Sequence, residues 1–269
     1  MKKLCSDQFY TLVTGATGGI GKSFCKQLAI RGRNLYLTGR DIKKLEKLKE
    51  EIQKDYPNLS ILTCACDLTS QNSRENLFST IITDGVLFDG LCNVAGVDIQ
   101  KAFENYTQEK IIFQCRVNLE ATLCITKFIL ERKAPTLEII TISSMSGVYP
   151  MPYFAIYSAT KSALLSFFSS LRIEQKKNGV KVTTVMPGGV YTRPDIIKDI
   201  KGQGLWGKLS AKSPDFIAKK SLKAVKKNKR KIIPGFWNKV LATVPKIIPL
   251  SWRMHFIANR WKKLEKDAF

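Results

Sequence analysis

The stretch that decides the fold is Thr14-Gly15-Ala16-Thr17-Gly18-Gly19-Ile20-Gly21, which follows the apolar run Phe9–Val13 and leads into a helical pattern. Glycines at such a turn let the backbone approach a pyrophosphate closely, and the helix N-terminus offers unpaired N–H groups and the positive end of its dipole. The spacing differs from GxGxxG, and no glycine stands five residues before Gly21, as a P-loop requires. The turn therefore predicts a dinucleotide site and disfavours an ATP site.

Outward from this turn, short apolar runs alternate with longer helical patterns as far as Met186. Such alternation is typical of parallel strands joined by right-handed crossover helices. We therefore predict an α/β fold, a single Rossmann-type, doubly wound parallel sheet with helices on both faces. The predicted strands are Phe9–Val13, Asn34–Thr38, Ser60–Ala65, Gly90–Val94, Leu137–Ser143 and Lys181–Met186. The predicted helices are Gly19–Arg31, Asp41–Tyr56, Ser73–Asp84, Thr107–Glu131 and Ala155–Lys177.

The composition changes after about Gly204. The segment Leu205–Phe269 holds 17 Lys or Arg against three acids, which is most of the net charge of +22. With 269 residues and 44% hydrophobic residues, the chain is long enough for one α/β domain with a substantial core. We place the dinucleotide-binding and catalytic core at residues 1–204. Residues 205–269 are predicted to complete that domain and to add a basic, amphipathic C-terminal extension, with a helix starting at Ser213-Pro214.

The extension interleaves its basic residues with aromatic ones, which are Phe236, Trp237, Trp252, Phe256 and Trp261. This composition is typical of a basic amphipathic segment that lies on an anionic membrane surface. An apolar face of the extension could equally cover a substrate cleft or form a subunit contact. Both interpretations stay open, and they are compatible with each other.

The seven cysteines are odd in number and lack the CxxC spacing of zinc or thioredoxin sites, so we interpret them as reduced core thiols and expect no metal. The sequence has no signal-peptide core of useful length and no apolar stretch of about 18 residues. We therefore expect a cytoplasmic protein, peripherally membrane-associated if the extension binds lipid.

Two polar residues follow predicted strands and bear on the cofactor. Arg40 lies about twenty residues beyond the glycine turn, where an acid would hold the ribose 2′-OH of NAD and a cation accommodates the 2′-phosphate of NADP. Arg40 therefore favours NADP(H), although it could also be a surface arginine before the helix N-cap Asp41. Asp67 follows the third strand, at the edge where ligands of open α/β sheets bind. It could equally be a helix-capping acid.

Tyr157 and Lys161 lie one helical turn apart, so both side chains point to the same face of a helix. A lysine ammonium near a phenol favours the phenolate, and we expect it to lower the pKa of the tyrosine toward working pH. A tyrosine of that kind can act as a general acid and base. The pair alone is weak evidence, because this spacing occurs often by chance.

Several short elements in a fixed order strengthen that interpretation. They are the turn Thr14–Gly21, Asn93-Val94-Ala95-Gly96, Asn118, Ser144, Tyr157 with Lys161, and Pro187-Gly188. Over about Phe9 to Thr192 the chain resembles the short-chain dehydrogenase/reductase family in these elements and their spacing. Val94 departs from the family pattern, which has a second asparagine there, and this weakens the support behind the cofactor site.

The resemblance implies an NADP(H)-dependent enzyme that reduces a carbonyl group or oxidises an alcohol. Tyr157 would exchange a proton with the substrate oxygen while hydride moves between the nicotinamide and the carbon, and Ser144 would hydrogen-bond the same oxygen. Lys161 would bind the nicotinamide ribose and tune Tyr157, and Asn118 would hold a water that links Lys161 to solvent. The implied catalytic residues are thus Tyr157, Lys161, Ser144 and Asn118.

Taken with the glycine turn, the resemblance also implies a set of cofactor contacts. By this resemblance, Thr192 would hydrogen-bond the nicotinamide carboxamide, and Tyr191 to Leu209 would form a substrate lid. The predicted cofactor-binding residues are Gly15, Thr17, Gly19, Ile20, Gly21, Arg40, Asp67, Asn93, Ala95, Gly96, Tyr157, Lys161, Pro187, Gly188, Val190 and Thr192.

Family members with lipidic substrates carry comparable basic, hydrophobic extensions, so the resemblance favours a lipophilic aldehyde, ketone or ketoacyl substrate and a homodimer or homotetramer. One alternative is a non-enzymatic NADP(H)-dependent membrane or nucleic-acid binding protein, but the complete Tyr/Lys/Ser/Asn set argues against it and no nucleic-acid motif supports it. An isomerase or epimerase on the same fold is another. His255 is the single histidine, which argues against a Ser-His hydrolase.

Overall fold

The described residues of this computed structural model, 9–192, 209–243 and 248–262, contain one sheet whose paired strands all run parallel. The strands are β1 (Phe9–Thr14), β2 (Asn34–Gly39), β3 (Ile61–Ala65), β4 (Leu87–Asn93), β5 (Lys133–Ile142), β6 (Val180–Val185) and β7 (Lys231–Ile232). Their order across the sheet is β3-β2-β1-β4-β5-β6-β7, so the chain winds outward in both directions from β1 and β4. The predicted doubly wound parallel sheet is confirmed.

Helices cover both faces of this sheet. The α-helices in the described ranges are α1 (Gly19–Ala29), α2 (Ile42–Asp55), α3 (Gln71–Thr83), α4 (Gln108–Cys115), α5 (Ala121–Glu131), α6 (Ala155–Glu174), α7 (Pro214–Lys226), α8 (Phe236–Thr243) and α9 (Leu250–Trp261). One core cluster lies under α1, α2 and α7, where Phe24 and Ile217 are buried, and the other lies under α3, α5 and α6, where Ile129 and Phe168 are buried. Fully burying a side chain of this size contributes roughly 1.5–3 kcal/mol, so the two clusters hold the layers together.

The strands form where the sequence is apolar on both sides of the pleat, as buried parallel strands require. In β2, Leu35 and Leu37 belong to one core cluster while Tyr36 between them belongs to the other. The phenol of Tyr36 donates a hydrogen bond to Asp84 at 2.9 Å, so the buried hydroxyl is satisfied. The alternation of side chains therefore ties β2 to both helix layers.

The structure differs from the sequence prediction most clearly in the predicted helix Thr107–Glu131. A π-helical turn, Arg116–Glu120, separates α4 from α5. Such a turn inserts one residue into the helical repeat, is rare, and is frequently found at functional sites. A second difference is that α3 begins at Gln71 instead of Ser73, because the Ser70 hydroxyl accepts a hydrogen bond from the Ser73 N–H at 3.2 Å and caps the helix.

The C-terminal part completes the sheet and then adds two helices. As expected, α7 begins at Pro214, with Ser213 as its N-cap accepting from the Phe216 N–H at 3.2 Å. β7 extends the sheet beyond β6, and α8 and α9 follow. The predicted boundary at residue 204 lies outside the described residues. Within the described ranges, no helix combines the length and apolarity needed to cross a bilayer.

The cysteines in the described ranges are free thiols. Those that are buried are Cys25, Cys66 and Cys92, and those that are partly buried are Cys64, Cys115 and Cys124. Burial raises the pKa of the Cys66 thiol to about 11, so that thiol is protonated and unreactive near neutral pH.

Candidate active site

The glycine turn between β1 and α1 leaves no room for a side chain at Gly15 or Gly21. Gly15 has a φ of +63°, and a Cβ atom there would lie 2.9 Å from the Ala95 Cα. A Cβ atom on Gly21 would overlap the Gly15 carbonyl oxygen. α1 begins directly after Gly18, whose N-cap position offers no side-chain acceptor, so the N–H groups of its first turn face the turn without a side-chain cap. This is a backbone cradle for an anionic group.

The turn is fixed to the end of β4. The Thr14 hydroxyl accepts hydrogen bonds from the backbone N–H groups of Val94 and Ala95, at 3.1 and 3.2 Å. The side chain of Asn93 is buried and donates to Thr126 and Thr141, at 3.1 and 3.3 Å. These bonds use only the amide nitrogen of Asn93, and the predicted contact of Asn93 to a cofactor stays a prediction. Thr14, which secures this junction, was not singled out by the sequence as a functional residue.

The corner between β2 and α2 holds the predicted NADP determinant. Arg40 is exposed at the carboxyl end of β2, and the Thr17 hydroxyl lies 3.6 Å from the position of a Cβ on the adjacent Gly39. Asp41 caps α2 by accepting from the Lys44 N–H at 3.1 Å. Thr17 of the glycine turn thus lies beside Gly39, the residue that directly precedes Arg40.

Asp67 lies at the carboxyl edge of the sheet after β3, as predicted. Its Oδ1 accepts from the backbone N–H and the hydroxyl of Thr69, at 2.9 and 2.8 Å. The N-cap of α3 is Ser70, so the alternative interpretation of Asp67 as the helix cap is wrong. The carboxylate instead shapes the turn that leads from β3 to α3.

Ser144, Tyr157 and Lys161 come together beyond the end of β5. The Ser144 Oγ accepts from the Ser146 N–H at 3.0 Å, and the Ser144 side chain lies close enough to the Tyr157 phenol to lower its pKa. The Lys161 Nζ lies 5.7 Å from the centroid of the Tyr157 ring and donates to the Ile142 carbonyl at 2.9 Å. The predicted shared face of Tyr157 and Lys161 is therefore present, with Ser144 beside it.

Asn118 holds the neighbouring backbone from within the π-helical turn. It is fully buried, and its amide accepts from the Val97 N–H at 2.8 Å and donates to the Val97 carbonyl at 2.9 Å. It also donates to the Thr160 hydroxyl at 3.2 Å. A Cβ on Gly96 would lie 3.0 Å from the Lys161 Nζ and 3.3 Å from the Asn118 Oδ1. Gly96, Asn118 and Lys161 therefore converge, and the role of Asn118 in holding a water stays a prediction.

The electrostatics of the pair differ from the sequence-based expectation. Burial, reinforced by the negative charge of Asp98, raises the pKa of Tyr157 above its ordinary value, against a lowering effect of the Ser144 hydrogen bond. Burial also lowers the pKa of Lys161 to about 8, partly offset by Asp98. The expected lowering of the Tyr157 pKa toward working pH is thus wrong for the protein chain alone, because the loss of hydration and the charge of Asp98 both raise this pKa.

Asp98 is a site residue that the sequence analysis missed. Its charge acts on both Tyr157 and Lys161, and it follows Val97, whose backbone Asn118 fixes. The sequence signal that could have identified Asp98 was its position two residues after Gly96, in the segment that leads from β4 into the site.

The C-terminal helix α9 packs against the loop that carries the catalytic residues. The Trp261 ring lies edge-to-face on Phe154 with centroids 5.1 Å apart, and Phe154 lies 5.9 Å from the Tyr157 ring. Arg253 stacks over Tyr149 at 4.9 Å. Of the interpretations left open for the extension, this packing supports the one in which it covers the substrate cleft. In the sequence, the helical spacing of Arg253, Ile257 and Trp261 was the signal that could have predicted a packing face on this helix.

The loop after β6 is contacted by α8. The Pro187 carbonyl accepts from the Met145 N–H at 2.9 Å, which joins this loop to the Ser144 loop. A Cβ on Gly188 would lie 2.7 Å from the Oδ1 of Asn238, a buried residue of α8 that the sequence analysis did not identify. The Asn238 amide donates to the carbonyls of Ser210 and Pro234, at 2.9 and 2.8 Å.

Two further predicted cofactor residues end the described part of this loop. Val190 is buried and bridges to Lys212, and Thr192 lies 3.1 Å from the position of a Cβ on Gly19, against the glycine turn. Of the predicted lid, residues 193–208 lie outside the described residues. The remaining predicted cofactor residue, Ile20, packs beside the core cluster under α1.

Comparison with known proteins gives consistent matches. A sequence profile of the short chain dehydrogenase family matches residues 10–198. A very-long-chain 3-oxoacyl-CoA reductase-like protein of Arabidopsis thaliana is 33% identical over 196 residues, 68% of this chain and 60% of that protein. The very-long-chain 3-oxoacyl-CoA reductase of Bos taurus is 31% identical over 225 residues, 80% of this chain and 68% of that protein.

The fold also matches a solved structure. A short-chain dehydrogenase from Sphingobium yanoikuyae in complex with NADPH has a TM-score of 0.76 and 22% identity, with 97% of this chain and 100% of that chain covered. The chain spans about three fifths of the length of the Arabidopsis relative.

Proposed function

This chain belongs to the short-chain dehydrogenase/reductase family of oxidoreductases, and on that premise we propose that it interconverts a lipophilic carbonyl compound and its alcohol with NADP(H). The observation that carries the proposal is the convergence of Ser144, Tyr157, Lys161 and Asn118 beside the glycine cradle. A proton donor, an orienting hydroxyl and a dinucleotide cradle at one edge of the sheet are what carbonyl reduction requires.

The cradle fits a dinucleotide because Gly15 and Gly21 exclude any side chain from the place where a pyrophosphate would approach the backbone. When bound, NADPH would supply the hydride that reduces the carbonyl carbon. The residues that would hold it include the glycine turn, Lys161 and Thr192. Arg40, at the rim of the cradle, supports the choice of NADP(H) over NAD(H), since a cation there accommodates the 2′-phosphate.

Tyr157 gives its phenolic proton to the carbonyl oxygen as that oxygen gains negative charge. Because the pKa of Tyr157 lies above its ordinary value, the phenol is protonated at neutral pH and available as a donor. Ser144, close to the phenol, orients the same oxygen. Lys161 has a pKa of about 8, so its ammonium can return a proton to the phenolate near neutral pH and recover one from solvent.

The substrate class follows from the surroundings of Tyr157 and from the relatives. Phe154 and Trp261 place aromatic rings next to the phenol, which suits an apolar substrate. The curated relatives from Arabidopsis thaliana and Bos taurus carry names that refer to long-chain 3-oxoacyl thioesters. Lipophilic ketones and 3-oxoacyl thioesters are therefore the first compounds to test.

We also propose peripheral membrane association through the C-terminal extension, within a cytoplasmic location. The composition of the extension supports it, because its 17 Lys or Arg stand against three acids and are interleaved with aromatic residues. A homodimeric or homotetrameric assembly stays a prediction.

The test of the catalytic proposal is NADPH consumption with a panel of lipophilic ketones, aldehydes and 3-oxoacyl thioesters. We expect turnover that falls about 10²–10⁴-fold in Tyr157→Phe while NADPH binding persists, because the substitution removes the proton donor and little volume. Tyr56→Phe makes the same chemical change at the end of α2 and should leave turnover unaltered.

Three outcomes would contradict the proposal. Full activity of Tyr157→Phe would show that another group moves the proton. Conversion of a substrate to its isomer without net NADPH consumption would indicate an isomerase or epimerase, and binding of NADPH without turnover of any compound would favour a non-enzymatic protein.

A further inference from the structure

A groove between α7, β7 and α8 is lined by an unusual concentration of positive charge. Its volume is about 590 Å³, and six lysines line it, Lys220, Lys223, Lys227, Lys229, Lys231 and Lys239. No acidic side chain is among its lining residues. The groove lies outside the catalytic group described above, and that group does not use these lysines.

The sequence of α7 explains why the charges collect there. Phe216, Lys220, Lys223 and Lys227 follow one another at helical spacing on one face, and the opposite face is buried in the core through Ile217 and its neighbours. The Lys220 ammonium lies over the Phe216 ring, 5.4 Å from its centroid, which is within the range of a cation–π contact.

The acid nearest to this face in sequence is engaged elsewhere. Asp215 pairs with Lys219 at 2.9 Å and accepts from the Gln27 amide at 2.8 Å, and neither residue lines the groove. Within the described ranges, none of the six groove lysines forms an ion pair. The resulting field is directed to solvent and attracts anions.

The rim of the groove is apolar and exposed. Phe236 is 71% exposed and Trp237 is 42% exposed, and their rings contact each other edge-to-face at 5.6 Å. An exposed aromatic pair beside a lysine cluster combines attraction to negative charge with burial of apolar surface. The groove contains no arginine, the side chain that binds phosphate bidentately in nucleic-acid sites, which favours a lipid surface over a polynucleotide.

We propose that this lysine groove, with Phe236 and Trp237 at its rim, is the surface by which the protein docks on an anionic phospholipid bilayer. The lysines bind headgroup phosphates, and the two rings enter the interface. The inference rests on the proposed peripheral association and deepens it, because it assigns the contact to α7 and α8 and not to the outer face of α9.

The docking surface is connected to the cofactor loop. Met186 lines the groove and directly precedes Pro187-Gly188, and Asn238 of α8 contacts Gly188. Docking through α8 therefore fixes the orientation of the catalytic edge relative to the bilayer.

The experiment is co-sedimentation of the full chain with phosphatidylglycerol/phosphatidylcholine vesicles, compared with phosphatidylcholine alone, at low and high salt. The groove variant is Lys220→Gln/Lys223→Gln/Lys227→Gln. A matched control, Lys43→Gln/Lys47→Gln/Lys54→Gln, removes the same charge from exposed positions of α2. At low salt we expect the groove variant to partition at least about tenfold more weakly than the control, because each lysine near an anionic surface strengthens binding and salt screens it.

A second pair of variants tests the rim. Phe236→Ser/Trp237→Ser should lose the part of binding that persists at high salt, whereas Trp252→Ser/Phe256→Ser on α9 should retain it. NADPH binding and the thermal midpoint of each variant establish that it is folded.

The outcomes separate the two proposals. Wild-type protein that stays in the supernatant at low salt overturns both peripheral association and the groove. The groove assignment is overturned, while association stands, in either of two cases. In the first, the wild type sediments and only the α9 variant loses binding. In the second, the groove variant and the α2 control variant lose binding equally. Tighter binding of single-stranded RNA than of vesicles, lost in the groove variant, also overturns it.

Discussion

The core and the C-terminal extension differ in whether their basic side chains form ion pairs with acids of the chain. At the sheet, Arg33 is paired with Glu138 at 2.8 Å and with Asp89 at 3.4 Å, and the buried Arg74 is paired with Glu120. The groove lysines between α7 and α8 have no such acids among the described residues. Arg33 and Arg74 thus receive counter-ions within the chain, because an unpaired buried charge is costly, whereas the groove lysines remain available to a partner outside the chain.

The aromatic residues divide in the same way. On α9, Trp261 packs on Phe154 next to the catalytic tyrosine, while Trp252 and Phe256 face outward. One short helix therefore contributes both to the active site and to the exposed surface. This contrast allows the two roles to be separated by substitutions.

The largest expected effect comes from a substitution that disrupts the glycine turn of the core and leaves the C-terminal extension unchanged. Gly21→Ala would place a Cβ atom onto the Gly15 carbonyl oxygen, so the cradle must open. We expect NADPH affinity to fall by at least about 100-fold, because the turn no longer presents its N–H groups to the pyrophosphate. Isothermal titration measures this, with vesicle partitioning expected to be unchanged. Gly18→Ala, whose Cβ would lie 3.4 Å from the same oxygen, is the matched control and should lose much less affinity.

The next effect concerns Arg40, an exposed cation of the core that we expect to bind the cofactor phosphate. Arg40→Ala should weaken NADPH binding by about 10–100-fold and leave NADH binding almost unaltered, since a charge-assisted contact to phosphate contributes roughly 1.5–3 kcal/mol. Fluorescence titration with both cofactors gives the ratio. The α7 triple-glutamine variant should keep the wild-type ratio. Equal affinity of the wild type for both cofactors would show that Arg40 does not read the 2′-phosphate.

The third effect tests the two faces of α9 with the same substitution. Trp261→Ala removes the ring on Phe154 and should lower kcat/KM for lipophilic substrates by about tenfold, the effect of roughly 1.4 kcal/mol of lost packing. Trp252→Ala, 72% exposed on the same helix, should leave kcat/KM unchanged in the absence of lipid. Equal losses in both variants would mean that α9 acts only through overall stability.

Much of this molecule could be predicted because its signals are local. The glycine turn, the alternation of apolar runs and the spacing of Tyr157 and Lys161 each depend on a few consecutive residues, and the structure has them as expected. The π-helical turn Arg116–Glu120 could not be predicted, since a single inserted residue hardly alters an amphipathic pattern.

Other features depend on tertiary packing. The contact between Phe154 and Trp261 joins residues far apart in the chain, and no periodicity connects them. The direction of the Tyr157 pKa shift depends on burial and on Asp98, neither of which the spacing reveals. The groove lysines were recognised only as part of a basic segment, because their convergence needs the packing of α7 against β7.

The smallest effect concerns Lys161, a buried cation of the core. Among the described contacts it forms no ion pair with a carboxylate, and its ammonium donates to the Ile142 carbonyl at 2.9 Å. Its pKa is lowered from 10.5 to about 8 by burial. Below about pH 8 both folded and unfolded chains carry the ammonium, and the cost of burying it is fully present. Between about pH 8 and 10.5 the unfolded chain binds the proton and the folded chain does not, so the free energy of unfolding rises with pH.

Lys161→Met removes this contribution, so the wild type should gain stability relative to the variant as pH rises. The expected gain is about 1 kcal/mol per pH unit near pH 9, which urea unfolding of both proteins at about pH 7.5 and 9 measures without any need for activity. Staying below pH 10 avoids the phenol of Tyr157, whose raised pKa acts in the opposite direction once unfolded tyrosine ionises. A stability difference that stays constant between the two pH values would show that Lys161 keeps its ordinary pKa, and it would remove the basis for its role in returning a proton to Tyr157.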